Sequence, residues 1–233
     1  SLTTATMSTL AKVTAMATFF KLMSVMNVNL PETSQTVLVV IAILSMTVGN
    51  IMALKQTNVK RMLAFSGISH AGFMVMTLLN VTSSAGILLY YASAYSLAGI
   101  AAFSVLLYVC KNRDNEDITN FHGLGKTNPL LAGIMTASLL SMAGIPIFSG
   151  FFAKLFLLTQ TLQSGYLGLV VIAIINSIIS VGYYFKLILA MYTKEANEEK
   201  QATPFVYYAV GVVSISINIA LGLFPSFIVD LLS

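Results

Sequence analysis

About seven apolar stretches, each long enough to cross a bilayer as a helix, follow one another along this chain with short polar links between them. A hydrocarbon core is about 30 Å thick and takes about 20 helical residues to cross. By hydropathy the stretches run over about Leu2–Val28, Gln35–Leu54, Val59–Leu79, Ser84–Val109, Pro129–Leu162, Leu167–Tyr192 and Phe205–Leu231. The expected fold is all-α, a polytopic transmembrane helix bundle forming one membrane domain over residues 1–233. Composition excludes the soluble alternative. Only 9% of residues are charged and 57% are hydrophobic, whereas a soluble domain carries about 25% charged residues to cover its surface.

The basic residues set an orientation. Lys55, Lys60, Arg61, Lys111, Arg113, Lys126, Lys194 and Lys200 fall in the second, fourth and sixth links, and the other three links hold no Lys or Arg. Seven crossings place those basic links on one side, as the positive-inside rule requires. The N-terminus is then expected inside and the C-terminus outside. The chain opens in an apolar helix with no basic n-region and no small-residue cleavage site, so no signal peptide is expected. The odd number of crossings and the abrupt opening suggest a piece of a longer protein.

One Cys and two His exclude a disulfide framework and argue against a zinc or iron–sulfur site built by this chain alone. The net charge of +4 is spread over separate links, so no nucleic-acid partner is expected. Nucleophile–base pairs, phosphate loops and dinucleotide fingerprints are missing from the sequence, and the acidic residues all lie in links or at helix ends.

Three titratable groups lie where lipid disfavours them. Lys12 is about 15 Å along the first helix and His70 about 16 Å along the third. Lys154 is about 13 Å from the far end of the fifth. All three fall near the midplane, where a charged Lys costs roughly 2.5–3.5 kcal/mol. Both lysines are too deep to snorkel easily, so they point to function; for His70 a plain structural hydrogen bond competes evenly. Thr4, Ser8 and Lys12 share one helix face, either lining water or packing as small residues. Ser66 and Ser69 cluster beside His70, and Asn176, Ser180 and Tyr183 cluster on the sixth helix. Lys21 and Lys186, nearer helix ends, are expected to snorkel. Tyr90, Tyr91 and Tyr95 are expected to be packing or interface aromatics.

Pro129–Leu162 is the second anomaly. As one straight helix Pro129–Gln163 would be about 51 Å long, far more than the core is thick. Pro146 removes a backbone donor, and Gly144 and Gly150 allow an irregular path. A broken helix is expected, with Lys154 just beyond the break; a simple proline kink is the competing form. Irregular backbone at this depth is tolerated inside protein or beside water, and broken helices mark ion sites in many transporters. The chemistry that remains is proton handling. Burial disfavours a charged ammonium, so such a lysine can load and release a proton, passing it laterally through His70 or through water along Ser and Thr.

Three segments resemble a known family. Lys55-Gln56-Thr57-Asn58-Val59-Lys60-Arg61 and the residues on to Ser69-His70-Ala71-Gly72-Phe73 are similar to a helix-opening signature of the antiporter-like membrane-arm subunits of NADH-quinone oxidoreductase, respiratory complex I. Ser141-Met142-Ala143-Gly144-Ile145-Pro146 followed by Gly150-Phe151-Phe152-Ala153-Lys154 resembles their broken helix and its lysine. Met7-Ser8-Thr9-Leu10-Ala11-Lys12 resembles the helix with their central lysine. The resemblance implies the eighth to fourteenth of fourteen helices. Residues 1–28 would close a first repeat, residues 28–193 would hold a second, inverted five-helix repeat, and residues 204–233 would be the final helix. It implies proton translocation driven by quinone reduction elsewhere in the complex, with Lys12, Lys154 and His70 transferring protons. A cation/proton antiporter or membrane hydrogenase of the same superfamily is the alternative. No cofactor is implied in this chain; flavin and iron–sulfur clusters would sit in other subunits. The partners implied are other membrane-arm subunits, including sister antiporter-like ones, with lipid, protons and water. The location implied is a bacterial inner membrane, or else an organellar inner or thylakoid membrane. The family's upstream glutamate and second lysine have no counterpart here, so this chain alone is not expected to pump.

Overall fold

The computed structural model describes residues 3, 6–25, 31–111, 113–195 and 204–225. Among them the chain is helical with no strands. A π-helical turn Met7–Ala11 leads into α1 (Lys12–Val25). Then come α2 (Glu32–Leu54), α3 (Val59–Val75, continued by a 3-10 turn Met76–Asn80) and α4 (Ala85–Val109). A short α5 (Leu124–Thr127) precedes α6 (Pro129–Ala143), α7 (Ser149–Gln163), α8 (Leu167–Thr193) and α9 (Phe205–Leu223).

Burial sorts the helices. Two thirds of α3 and of α4 lies inside the protein, against 28% for α2 and for α9. On α2 the exposed residues Val37, Val40, Ile41, Leu44, Val48 and Ile51 recur at helical spacing and form one apolar stripe. That stripe faces lipid while the centre of the bundle is held by α3 and α4. Five helices are long and apolar enough to span a membrane. The expected single crossing Pro129–Leu162 is two half-helices, α6 and α7, so the break is real and is more than a kink.

The link from 111 to 126 is more ordered than its polarity suggests. It carries a 3-10 turn Ile118–Phe121 and buries Phe121 completely. Its backbone pairs with the start of α3: Val59 N–H donates to the Glu116 carbonyl at 2.8 Å and Ile118 N–H to the Thr57 carbonyl at 2.9 Å. Asn58 caps α3 by accepting from the Arg61 N–H at 3.0 Å, and its Nδ2 donates to Glu116 Oε2 at 3.1 Å. Lys60 forms an ion pair with the same carboxylate. Hydrogen bonds from Lys60 and Asn58 hold the Glu116 carboxyl below its ordinary range. A depressed carboxyl contributes stability above the unfolded pKa and loses it as pH falls through the folded one. Glu116→Gln is therefore expected to lower thermal stability at neutral pH, by less than about 1 kcal/mol for so exposed a pair. The gap between variant and parent closes on acidification through the carboxylate range, read from melting curves in detergent.

Candidate functional site

The break between α6 and α7 is built by three glycines and a strained turn. Gly144 ends α6 at φ +86°, and the N–H groups of Gly144 and Ile145 donate to the Leu140 carbonyl at 3.1 and 3.0 Å. This left-handed termination is cheap only for glycine. Ile147 also has φ +90°, a costly conformation for a β-branched residue. Close approach holds the turn. A Cβ on Gly150 would lie 1.8 Å from the Ser141 carbonyl oxygen, and one on Gly222 of α9 would lie 2.2 Å from that of Ile147. Asn218 of α9 adds a polar tie. Ser141 donates to its Oδ1 at 2.9 Å, and its Nδ2 donates to the Ala94 carbonyl at 3.0 Å.

Lys154 sits in the second turn of α7 and reaches back across the break. Its Nζ donates to the Ala143 carbonyl at 2.9 Å and to Ser177 Oγ on α8 at 2.8 Å. The first contact satisfies one of the carbonyls that α6 leaves unpaired at its end and sets a cation at the negative pole of that half-helix. The amine also lies 5.4 Å from the Phe73 ring centroid, and the side chain is 6% exposed.

His70, also buried, meets two tyrosine hydroxyls: Tyr91 at Nδ1, 2.9 Å, and Tyr184 at Nε2, 3.3 Å. The Tyr95 ring packs on the imidazole with centroids 4.7 Å apart. Lys12 lies on the far side of Tyr95, its Nζ 5.8 Å from that ring's centroid. It presses so closely on α3 that a Cβ at Gly67 would be 2.5 Å from the amine. Lys12 is half-buried, and on its helix Ala11, Thr14, Ala15 and Thr18 are exposed along an open groove. Both ammonium groups act electrostatically on the His70 ring. Between His70 and Lys154, with Tyr91, Tyr95 and Ser141 in its wall, a cavity offers about 10 Å³ to a water centre, about what a single water requires.

From His70 a row of polar groups continues. The Tyr184 hydroxyl is hydrogen-bonded to Ser66 and to Tyr183. Tyr183 donates to Asn50 Oδ1 at 3.0 Å. Asn50 Nδ2 donates to the Asn176 carbonyl at 2.8 Å, and Asn176 Nδ2 to Thr47 Oγ1 at 3.2 Å.

The structure thus gathers Lys12, Lys154, His70, Ser66, Asn176 and Tyr183 around one buried polar row. Ser180 is buried beside it and donates to the Ser177 carbonyl at 2.6 Å. Ser69 is buried without a place in the row among the described contacts. Thr4 and the side chain of Ser8 lie outside the described residues. Lys186 is exposed and donates to the Gln56 carbonyl at 3.2 Å, close to its expected place at a helix end. Tyr91 and Tyr95, expected as packing aromatics, are corrected: one bonds the imidazole and the other separates it from Lys12. Asn50, Tyr184 and Ser177 escape a reading of single helices. The signal for Asn50 was an amide inside an otherwise apolar helix, which needs a partner on a neighbour. Among the described residues no group of three His, Cys, Asp or Glu side chains could hold a metal ion.

Comparison with known proteins follows this geometry. The family described as NADH:quinone oxidoreductase/Mrp antiporter, TM, matches residues 2–180. A NADH-quinone oxidoreductase subunit N of Flavobacterium johnsoniae is 70% identical over all of this chain, which covers 52% of that protein. The subunit N of Flavobacterium psychrophilum is 61% identical over 99% of the chain, covering 51% of that protein. This chain therefore spans about half the length of the curated relatives it matches. Among solved structures, respiratory complex I from Thermus thermophilus with bound aureothin superposes with a TM-score of 0.76 at 31% identity, over 84% of this chain and 45% of that one. The Mrp complex from Dietzia superposes with the same TM-score at 21% identity, over 84% of this chain and 46% of that one, a likeness of fold. With its multi-pass helical fold, its broken helix and these matches, the chain belongs to the NADH:quinone oxidoreductase/Mrp antiporter transmembrane family.

Proposed function

We propose that this chain carries protons across a bacterial plasma membrane as part of an antiporter-like membrane-arm subunit of NADH-quinone oxidoreductase. The observation that carries the reading is the placement of two lysines, on different helices, either side of a buried histidine. Lys154 shares a water-sized cavity with His70, and Lys12 stands across the Tyr95 ring from it. A charge arriving at one member raises the cost of charge at the next, because screening is weak in such surroundings. A proton loaded at one amine therefore favours release from its neighbour. Tyrosine, serine and histidine can each donate and accept, so the row between them can relay.

In this reading the basic links face the cytoplasm, residues 28–193 form one inverted five-helix repeat, and sister antiporter-like subunits are the neighbours. Quinone reduction elsewhere in the complex supplies the energy, and the flavin and iron–sulfur groups belong to other subunits. The names of the relatives at 70% and 61% identity support this reading over an antiporter that exchanges sodium for protons.

The test uses the full-length protein in its complex, in inverted membrane vesicles driven by NADH. Lys12→Ala and Lys154→Ala should each lower acidification per NADH oxidised. Normal acidification by both variants would overturn the reading. Sodium-dependent acidification would move it to the antiporter.

A further inference from the structure

Two asparagines give the hydroxyl row a direction. Asn176 Nδ2 donates to the Ile172 carbonyl at 3.0 Å, and a backbone carbonyl can only accept. That fixes the amide of Asn176 with Oδ1 turned to Asn50. Asn50 Nδ2 donates to this Oδ1 at 3.0 Å and to the Asn176 carbonyl at 2.8 Å. The amide of Asn50 is fixed in turn, and its Oδ1 is the atom that meets Tyr183. Tyr183 has one proton and must give it to that oxygen, so it faces Tyr184 purely as an acceptor. Ser66 is placed alike, since its own proton goes to the Leu63 carbonyl at 2.8 Å. Tyr184 therefore donates away from the imidazole, to Tyr183 or Ser66. Its oxygen is left to receive a proton from His70 Nε2, and Nδ1 then accepts from Tyr91. Every bond from Tyr91 to Asn176 points one way, the arrangement in which successive hydrogen bonds polarise one another.

We propose that Asn50 is a positioning residue that holds neutral His70 as its Nε2–H tautomer. The basic Nδ1 is thereby turned to Tyr91, which also lines the cavity shared with Lys154. Uptake of a proton by the imidazole then occurs on the Lys154 side, and the Nε2–H is already aimed at Tyr184. For its use in transport the inference rests on the proton-relay reading, but its test does not.

The test is solid-state NMR of the full-length protein in membranes, labelled with ¹⁵N,¹³C-histidine, at alkaline pH where the imidazole is neutral. The His70 signal is identified by its loss in His70→Gln. In the parent protein the protonated nitrogen should be the one bonded to Cδ2, which is Nε2. Asn50→Leu and Tyr183→Phe should each shift the population toward Nδ1–H by about fivefold, the effect of losing one net hydrogen bond. Asn50→Asp should keep the parent tautomer, because a carboxyl oxygen still accepts from Tyr183. A parent protein that is mainly Nδ1–H, or a tautomer unmoved in both Asn50→Leu and Tyr183→Phe, would overturn the proposal. Tyr183→Phe keeps the ring in place and decides the matter should Asn50→Leu fail to fold. Unaltered acidification by the lysine variants would count against the relay alone.

Discussion

Lys154→Arg is expected to cut proton transport per NADH oxidised by about tenfold or more, while the protein still assembles. Arginine keeps the positive charge and supplies five donors, so it can still cap the Ala143 carbonyl at the end of α6. It cannot release a proton in a protein. The variant therefore separates the two duties of Lys154, which a truncation confounds. Lys154→Ala leaves a buried carbonyl unpaired, at about 1–3 kcal/mol, and empties part of the site as well. If the lysine served only as a cap, arginine would retain most of the parent's transport. Acidification of inverted vesicles, normalised to NADH oxidation, reads the difference.

Gly150→Ala should be the most damaging single-methyl substitution in the described chain, by about 3 kcal/mol. The added Cβ would sit 1.8 Å from the Ser141 carbonyl oxygen and 2.7 Å from its carbon. Both atoms are backbone at the end of α6 and cannot swing aside. Gly222→Ala presses on the same turn from α9, 2.2 Å from the Ile147 carbonyl oxygen, and should behave similarly. Gly168→Ala is the control, because nothing lies within 4 Å of the added atom. Melting temperatures in detergent should fall for the first two and hold for the third. Equal melting of all three would mean that the half-helices are not clamped as described.

Much of this architecture is legible before any coordinates. Hydropathy finds the helices because lipid leaves the backbone few alternatives. The break at 144–148 follows from a stretch too long for one crossing with Pro146 in its middle. The two lysines and His70 stand out because their placement is expensive. The partners of these groups are hidden, since contacts between helices do not follow from the period of any one of them. Tyr91 and Tyr184 face His70 from α4 and α8, and nothing in either helix alone distinguishes them from packing aromatics. Asn50 gains its meaning only from Asn176, 126 positions away. The link from 111 to 126 looks like a plain connection, yet Asn58, Lys60 and Glu116 fasten it to α3, a pairing that polarity alone does not signal.

The two lysines differ in one respect that bears on how such a device could be metered. Lys154 is sealed among α6, α7 and α8, whereas Lys12 stands at the rim beside an open groove. The rim amine can exchange with whatever helix lies beyond α1, so it suits a hand-off between units. The enclosed amine has its only polar company in Ser177 and one carbonyl, so its traffic passes through a narrow door. A relay built this way fills from its loose end and is throttled at its tight one.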